Sequence, residues 1–237
     1  MEKLLKILGL VATFAFIVGC CAKKIPQIEI QRDVPIEPES VMFIVAHNVA
    51  TEETISGTAI IVESNEKESW ALSAGHVCYP EPLDQLVMWT DVWAAMGFDT
   101  KGNYEPVFMI ALDQAKDICV FRIPIGGLPH VPIADQQPNI GEKVWLGAYP
   151  LGTYNPGHIP FFEGYYAGIL EGRASFTIPV TGGSSGGGIV NADGELVGIV
   201  SMALDGFENI TIGPELKNVQ TVLDVAKKHP ERFTLIR

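Results

Sequence analysis

Short apolar runs separated by turn residues dominate the chain from Val41 onward. About a dozen such runs follow one another at roughly the 8–12-residue spacing that is typical of β-sandwiches and β-barrels. The runs that predict strands are 41–50, 57–62, 70–74, 86–90, 92–98, 104–112, 118–123, 143–149, 161–170, 175–179, 188–190 and 195–203. No helical pattern alternates with them, which argues against a parallel α/β sheet. The pattern therefore predicts an all-β domain over 41–237.

One helix is predicted near the end of the chain, over about 214–229. Pro214 stands at its first position, where proline is favoured because its missing N–H would be unpaired there in any case. The apolar residues that share one face of this helix are Leu216, Val219, Val222, Leu223 and Ala226. The segment 124–141 holds four prolines and predicts a crossover between two halves, about 41–128 and 129–212.

The N-terminus has the pattern of an export signal. Two lysines in the first six residues precede an uncharged, mostly apolar stretch over 7–22, which is shorter than the roughly 20 residues of a membrane-spanning helix. Ile17-Val18-Gly19-Cys20 resembles the lipobox of bacterial lipoproteins. The resemblance implies a signal peptide over 1–19, lipidation of Cys20, and attachment to a membrane facing the periplasm or the extracellular space. Residues 20–40, rich in proline and charge, are expected to be a tether; an ordinary signal peptide or a short membrane anchor is the alternative.

Composition and charge exclude two broad classes of protein. Apolar residues make up 47% of the chain and charged residues 19%, which excludes intrinsic disorder. The net charge is −12, and an acidic surface is a poor match for nucleic acid, whose phosphates require clustered Lys and Arg. The 24 glycines and 16 prolines suit a turn-rich β protein.

The strongest chemical signal is the glycine-rich segment over 181–188, Thr-Gly-Gly-Ser-Ser-Gly-Gly-Gly. Glycine permits positive φ and a close approach of backbone, so such a loop can turn several N–H groups toward one point, as an oxyanion hole requires. Ser184 and Ser185 stand in its middle. A serine hydroxyl is a weak nucleophile unless a base takes its proton, so the sequence must also supply a base.

His76 and Asp117 are the candidates for a base and its orienting acid. His76 follows an apolar strand among small residues that leave an imidazole accessible. Asp117 heads the apolar run 118–123, where a carboxylate is unfavourable unless it finds a hydrogen-bond donor. His76 would be that donor.

These segments, in this order, resemble the trypsin-like (chymotrypsin-fold) serine peptidases of the bacterial type. Gly57-Thr58-Ala59 resembles the family's glycine-led second strand, and Ser73-Ala74-Gly75-His76 its histidine motif. Asp117-Ile118 resembles the aspartate motif, and Gly183-Ser184-Ser185-Gly186-Gly187 fits the G-x-S-G-G serine motif. The run 196–201 resembles the strand that lines the substrate cleft. The resemblance extends from about 41 to 203.

The resemblance implies a serine endopeptidase built from two six-stranded antiparallel β-barrels, with a polypeptide as substrate and neither a metal nor a cofactor. Ser185 would attack the scissile carbonyl, His76 would transfer the proton, and Asp117 would orient His76. The backbone N–H groups of Gly183 and Ser185 would hold the oxyanion. The segment implied to pair with the substrate backbone is Ser201, Met202 and Ala203.

Two positions depart from well-known branches of the family. Ser184 replaces the aspartate that captures a freed N-terminus, so activation of that kind is not expected. Pro179, followed by Val180, stands where the branch that cuts after Lys or Arg carries an acid. We therefore expect an uncharged or small side chain at P1, unless Asp205 or Glu208 supplies the missing charge.

Other interpretations of the same residues remain open in the sequence. Cys78 and Cys119 are either a disulfide, which export permits, or two buried thiols. With His76 and Asp117 they would also make a metal site, although the ligand spacing is unusual for structural zinc. Gly183-x-Ser185-x-Gly187 matches the elbow of α/β-hydrolases, which requires a helix directly after it. A peptidase fold kept as a silent peptide-binding or adhesion module is the alternative function.

Overall fold

The computed structural model describes residues 34–48, 52–79, 93–230 and 233–236. These residues form two mainly antiparallel β-sheets and a C-terminal helix. The strands are β1 Val41–Asn48, β2 Thr54–Ser64, β3 Ser69–Ala74, β4 Trp93–Phe98, β5 Tyr104–Pro106, β6 Phe108–Asp113, β7 Ile118–Ile123, β8 Lys143–Gly147, β9 Phe161–Leu170, β10 Arg173–Phe176, β11 Gly188–Val190, β12 Leu196–Ile199, β13 Met202–Leu204, β14 Phe207–Gly213 and β15 Thr234–Ile236. The helices in the described ranges are α1 Gly75–Cys78 and α2 Leu216–Lys228, and these ranges also hold 3₁₀ turns at Pro38–Ser40 and Pro150–Gly152.

The first sheet has eight described strands in the order β15-β6-β7-β3-β2-β1-β4-β5. All pairings are antiparallel except that of β15, which lies parallel to β6. The second sheet has seven described strands in the order β12-β11-β8-β9-β10-β14-β13. The predicted all-β fold with two sheet-based halves and a closing helix is therefore confirmed.

Alternation along the central strands of the first sheet divides their side chains between two cores. In β2 and β3, Ile60 and Leu72 belong to one apolar cluster, whereas Ile61 and Ala71 belong to another. Successive side chains of a strand point to opposite faces, so both faces of these strands are buried. The cluster with Ile60 and Leu72, here called the central cluster, also takes side chains from the second sheet and from the C-terminal helix.

The C-terminal helix is confirmed, and its apolar face is the one that the sequence predicts. Val219, Val222, Leu223 and Ala226 lie in the central cluster, and Leu216 packs into the core of the second sheet. Lys227 Nζ lies 2.7 Å from Glu63 Oε2 of β2 at the edge of this packing. No helix in the described ranges is both long and apolar enough to cross a membrane.

The strand count differs from the predicted six and six. The predicted run 104–112 is two strands, β5 and β6, and β15, with only three residues, is too short to give a periodic pattern. The predicted run 195–203 is two strands, because at its centre Val200 N binds Gly187 O and Ser201 N binds Ile212 O. β14 was not predicted. The predicted strand 86–90, the signal peptide 1–19 and Cys20 lie outside the described residues.

The compact domain begins before the end of the predicted tether. Ile36 is 4% exposed within the central cluster, and the Ser40 hydroxyl donates to Glu37 O at 2.7 Å within the turn Pro38–Ser40. Gly194, in the hairpin turn between β11 and β12, lies against Pro35. Residues 34–40 are therefore packed because their apolar side chains find a place on the sheet, despite the proline-rich composition.

A disulfide joins Cys78 to Cys119, with their Cα atoms 6.4 Å apart. Cys78 ends the short helix Gly75–Cys78 and Cys119 lies at the start of β7, and both residues are fully buried. Because the bond closes a loop over a sequence separation of 41 residues, it restricts the unfolded chain.

Replacing both cysteines, Cys78→Ala with Cys119→Ala, is expected to lower the free energy of unfolding by about 2–4 kcal/mol, since the unfolded chain regains its freedom. Urea unfolding followed by fluorescence measures the change. Reductant should lower the midpoint of the unreplaced protein and leave the double variant unaffected. Equal midpoints for the two proteins without reductant would show that the bond contributes nothing.

Candidate active site

His76 and Asp117 form a close pair at the edge of the first sheet. Nδ1 of His76 lies 3.0 Å from both Oδ1 and Oδ2 of Asp117. The backbone N–H of His76 also donates to Oδ1, at 2.9 Å. The side chain of His76 is 49% exposed and that of Asp117 only 14%. The imidazole is thus held through Nδ1, and Nε2 has no hydrogen-bond partner among the described residues.

Strand pairing brings this histidine and this aspartate together. β3 and β7 are antiparallel neighbours in which Ala74 pairs with Ile118, so the end of β3 lies beside the start of β7. His76 follows the former and Asp117 precedes the latter. Asp117 has a φ of 58°, a left-handed conformation that Asp tolerates better than most residues.

Gly75 permits the close approach of the two segments. A Cβ at this position would lie 3.1 Å from the Cα and from Oδ1 of Asp117. A side chain here would therefore push the backbone N–H of His76 away from the carboxylate. The glycine of the histidine motif is explained by this contact.

Asp117 is ionised in this setting. Burial raises the pKa of Asp117, but the hydrogen bonds from the ring and the backbone of His76, together with the Ser201 hydroxyl, lower it by more. The pKa of Asp117 therefore lies below its ordinary value of 3.8. Ser201 is 3% exposed, and its Oγ has no hydrogen-bond partner within the described part of the chain. Its hydroxyl nevertheless helps to lower the pKa of Asp117.

Ser184 and Ser185 take different environments within the glycine-rich turn. Ser184 is 1% exposed; its N–H donates to Thr181 O at 3.0 Å and its Oγ accepts from Thr181 N at 3.5 Å. It is therefore occupied in closing the turn. Ser185 is half-buried and its side chain is not used in this way. The two serines of the turn therefore differ: the Ser184 hydroxyl helps to close the turn, and the Ser185 hydroxyl does not.

Three backbone N–H groups of the turn, those of Gly182, Gly183 and Ser185, have no hydrogen-bond acceptor among the described residues. The amides of Ser184, Gly186 and Gly187 are all paired. Gly183 has a φ of 87°, which only glycine adopts readily. Free, fixed amides beside a serine hydroxyl are the donors that an oxyanion requires.

The turn docks directly on β2, next to the segment that carries His76. Thr58 N donates to Ser185 O at 2.8 Å. A Cβ at Gly57 would lie 3.2 Å from that same oxygen and 2.7 Å from the side chain of Val77, the neighbour of His76. At Gly186, a Cβ would collide with Thr58 O and Ser73 Oγ. These contacts bring the predicted serine to the same region as the predicted histidine and aspartate.

The segment predicted to bind substrate lies at an exposed sheet edge. β13 is the last strand of the second sheet and pairs only with β14 among the described strands. Met202 is 46% exposed and Ala203 is half-buried. The other edge of β13 is therefore available to an extended chain.

A cavity of ≈ 270 Å³ lies beside the glycine-rich turn. Pro179 and Val180, predicted for the P1 pocket, line this cavity, and so does Glu208, the acid that could favour a basic P1 side chain. The lining residues are Pro150, Phe162, Pro179, Val180, Thr181, Ser184, Glu208 and Asn209. Val180 is 6% exposed, and its N–H donates to Glu208 O at 3.1 Å. Glu208, one of the residues that line this cavity, is exposed.

Two of the alternative interpretations are wrong. Cys78 and Cys119 are bonded to each other, so neither is a thiolate ligand, and the described residues contain no cluster of three or more His, Cys, Asp or Glu suited to a metal ion. The α/β-hydrolase elbow requires a helix after the serine, whereas here the strand Gly188–Val190 follows.

Thr58 is a site residue whose role sequence reasoning missed. The motif Gly57-Thr58-Ala59 marks the start of a strand, but nothing in it shows that the Thr58 hydroxyl donates to Gly183 O at 2.9 Å and accepts from Tyr149 N at 3.0 Å. These partners are 125 and 91 residues away. Only the folded arrangement of the two sheets reveals them.

Known proteins resemble this chain in sequence and in fold. Residues 57–199 match the trypsin-like peptidase domain family. The chain is 32% identical over 111 residues to the serine endoprotease DegS of Escherichia coli (strain K12), a match that covers 44% of this chain and 31% of that relative. The chain thus matches less than a third of the relative's length.

Two crystal structures share the fold. The serine endoprotease from Yersinia pestis has a TM-score of 0.65 at 18% identity, covering 81% of this chain and 64% of that one. The active form of the Rv3671c protease from M. tuberculosis has a TM-score of 0.66 at 14% identity, covering 84% of each chain. The family match takes in the histidine, aspartate and serine motifs together. The chain belongs to the trypsin-like peptidase domain family.

Proposed function

We propose that this protein is a serine endopeptidase in which Ser185, His76 and Asp117 act as nucleophile, base and orienting acid. The observation that carries the proposal is the position of the His76 imidazole, whose Nδ1 lies 3.0 Å from both carboxylate oxygens of Asp117. The glycine-rich turn that carries Ser185 docks on the same sheet. Family membership supports the reaction class.

The reaction follows from the positions of the proton-transferring groups. Ser185 Oγ attacks the scissile carbonyl carbon and its proton passes to Nε2 of His76. The C–N bond breaks as that proton moves to the leaving amine, and the acyl group stays on Ser185 as an ester. Water then attacks the ester while His76 Nε2 takes a proton from it, and His76 passes that proton to Ser185 Oγ as the ester bond breaks and the acid leaves. The ionised Asp117 stabilises the imidazolium that forms in each step.

The free amides of Gly183 and Ser185 supply the electrostatic part of catalysis. The carbonyl oxygen becomes negatively charged in the tetrahedral intermediate, and two preorganised donors stabilise it more than they stabilise the neutral ground state. Loss of one such donor typically lowers the rate by ~10²–10³-fold.

The substrate is an extended polypeptide that adds to the free edge of β13. Main-chain hydrogen bonds to residues 201–203 would hold it in register, as in other cases of strand addition. Pro179 and Val180, together with the rest of the 270 Å³ cavity lining, favour an uncharged side chain at P1. Glu208 at the same cavity is the residue that would favour a basic one instead.

The proposal includes a lipid anchor on Cys20. The lipobox-like sequence Ile17-Val18-Gly19-Cys20 supports cleavage before Cys20 and export to the periplasm or the extracellular space. Residues 20–33 would then lead from the membrane to the compact domain, which begins at Val34. More than one acyl chain is required, because a single chain gives only marginal membrane binding.

Ser185→Ala and His76→Ala are each expected to lower kcat/KM for peptide hydrolysis by about 10⁴-fold or more, because each removes a reacting group.

The assay compares fluorogenic peptides with Ala or Val at P1 against peptides with Lys or Arg, and the uncharged set should be cleaved faster. Preference for the basic set, lost in Glu208→Gln, would overturn the proposed P1 specificity.

A serine-directed phosphonate separates the enzyme from a silent binding module. Mass spectrometry should find the label on Ser185, and Ser184→Ala should still be labelled there, whereas Ser185→Ala should carry none. A well-folded protein that takes up no label and cleaves no peptide would favour the binding module.

The lowered pKa of Asp117 predicts how stability depends on pH. A carboxylate whose pKa is lower in the folded than in the unfolded state stabilises the fold above its unfolded pKa, and that stability is lost as pH falls through the folded pKa. The difference in free energy of unfolding between the wild type and Asp117→Asn should therefore shrink as pH falls below about 3.8. Urea unfolding from pH 6 to pH 2 measures it; a constant difference would contradict the lowered pKa.

Mass analysis of the mature N-terminus tests the anchor. Protein purified from membranes should begin at Cys20 and carry the mass of its acyl chains. Cys20→Ala should remain uncleaved at this site and carry no acyl mass, whereas Cys21→Ala should behave like the wild type. An unmodified Cys20, or a mature start elsewhere, would exclude lipidation.

A further inference from the structure

We propose that Thr58 is a positioning residue for the oxyanion-binding amides of Gly183 and Ser185 in the glycine-rich turn. This inference rests on the function proposed above. Thr58 belongs to β2 of the first sheet, whereas the turn belongs to the second half of the chain. It is 0% exposed, and each of its polar groups is used in contacts between separate segments.

The hydroxyl of Thr58 joins two segments of the second half. Oγ1 donates to Gly183 O at 2.9 Å and accepts from Tyr149 N at 3.0 Å. A hydroxyl has one hydrogen and two lone pairs, so it can make both bonds at once. A valine of nearly the same shape can make neither.

A third bond closes these contacts into a ring. Leu151 lies two residues after Tyr149, and Gly182 directly precedes Gly183. The N–H of Leu151 donates to the carbonyl oxygen of Gly182 at 2.6 Å. The C=O and N–H of a trans peptide point in opposite directions. The carbonyl of Gly182 is held toward Leu151, so the N–H of Gly183 must point away from it, as an oxyanion donor.

Thr58 fixes both sides of this ring. It holds Gly183 directly, and through Tyr149 it holds the segment from which Leu151 reaches Gly182. The packing leaves little room for an alternative, since a Cβ at Gly183 would lie 2.7 Å from Tyr149 O and 2.9 Å from Leu151 N.

The backbone of Thr58 ties the same turn to the histidine segment. Its N–H donates to Ser185 O at 2.8 Å, and its carbonyl accepts from Ser73 Oγ at 2.7 Å, three residues before His76. The backbone bonds would survive a change of side chain. A substitution at Thr58 that removes only the hydroxyl therefore tests the ring alone, with the docking of Ser185 retained.

Thr58→Val is the test, with Thr58→Ser as the rescue and Ser69→Ala as the matched control. Ser69 is likewise 0% exposed in the first sheet, and its hydroxyl bonds Ile125 O and Ser64 Oγ, each at 2.8 Å. Thr58→Val should lower kcat about tenfold to a hundredfold with KM within about twofold, because the lost donor alignment acts on the transition state. Thr58→Ser and Ser69→Ala should stay within about twofold of the wild type in both constants.

A readout independent of turnover accompanies the kinetics. In glycine- and serine-labelled protein, the amide resonances of Gly183 and Ser185 should shift in Thr58→Val and keep their positions in Ser69→Ala. If Thr58→Val does not fold, as judged by circular dichroism, Thr58→Ala takes its place in both measurements.

Several results would overturn the proposal. They are a kcat for Thr58→Val equal to that of Ser69→Ala, a rise in KM with kcat unchanged, or an unmoved Gly183 resonance. If the wild type cleaves no peptide at all, the proposed peptidase function fails, and the resonance comparison by itself decides whether Thr58 orients the turn.

Discussion

The site depends on the docking of the glycine-rich turn against β2. The bond from Thr58 N to Ser185 O, at 2.8 Å, joins a residue of the first sheet to one that belongs to the second half of the chain. The His76–Asp117 pair is assembled within the first sheet alone, by the pairing of β3 with β7. In the reaction proposed above, His76 is the base and Ser185 the nucleophile, so the two must lie in one site. The contact between the two halves therefore brings the residues of the proposed site together.

Glycine makes this contact sterically feasible at a small number of positions. Gly57 leaves room for Ser185 and Val77, Gly75 for Asp117, and Gly186 for Thr58 and Ser73. Each lies where one backbone approaches another more closely than a side chain would permit. The buried hydroxyl of Thr58 then satisfies polar groups that the approach would otherwise leave unpaired. Such fully paired networks stabilise one geometry over others, because any displaced partner is left unsatisfied.

The sequence predicts most of this fold because its information is local. Alternating runs predict the strands, and the five apolar positions of the last helix predict its buried face, Val219 and Val222 included. The histidine, aspartate and serine segments are recognisable since each is a short motif with its own backbone requirement. The strand β14 was missed because Phe207–Gly213 has four exposed or half-buried positions and only a short buried end.

What the sequence cannot predict is pairing over long distances. Nothing local to Thr58 points to Gly183 or Tyr149, and nothing local to Cys78 decides whether Cys119 is bonded to it. The packing of Ile36 is a similar case, since proline-rich composition suggests a tether while the sheet offers its side chain a buried place. These features depend on which surfaces meet after the strands have formed.

The most direct test of the account is a crystal structure of the full chain after reaction with a peptide phosphonate. We expect phosphorus bonded to Ser185 Oγ, its oxygen accepting from the amides of Gly183 and Ser185, and His76 Nε2 facing the bonded oxygen. A phosphonyl oxygen directed away from both amides, or a label on another residue, would contradict the account.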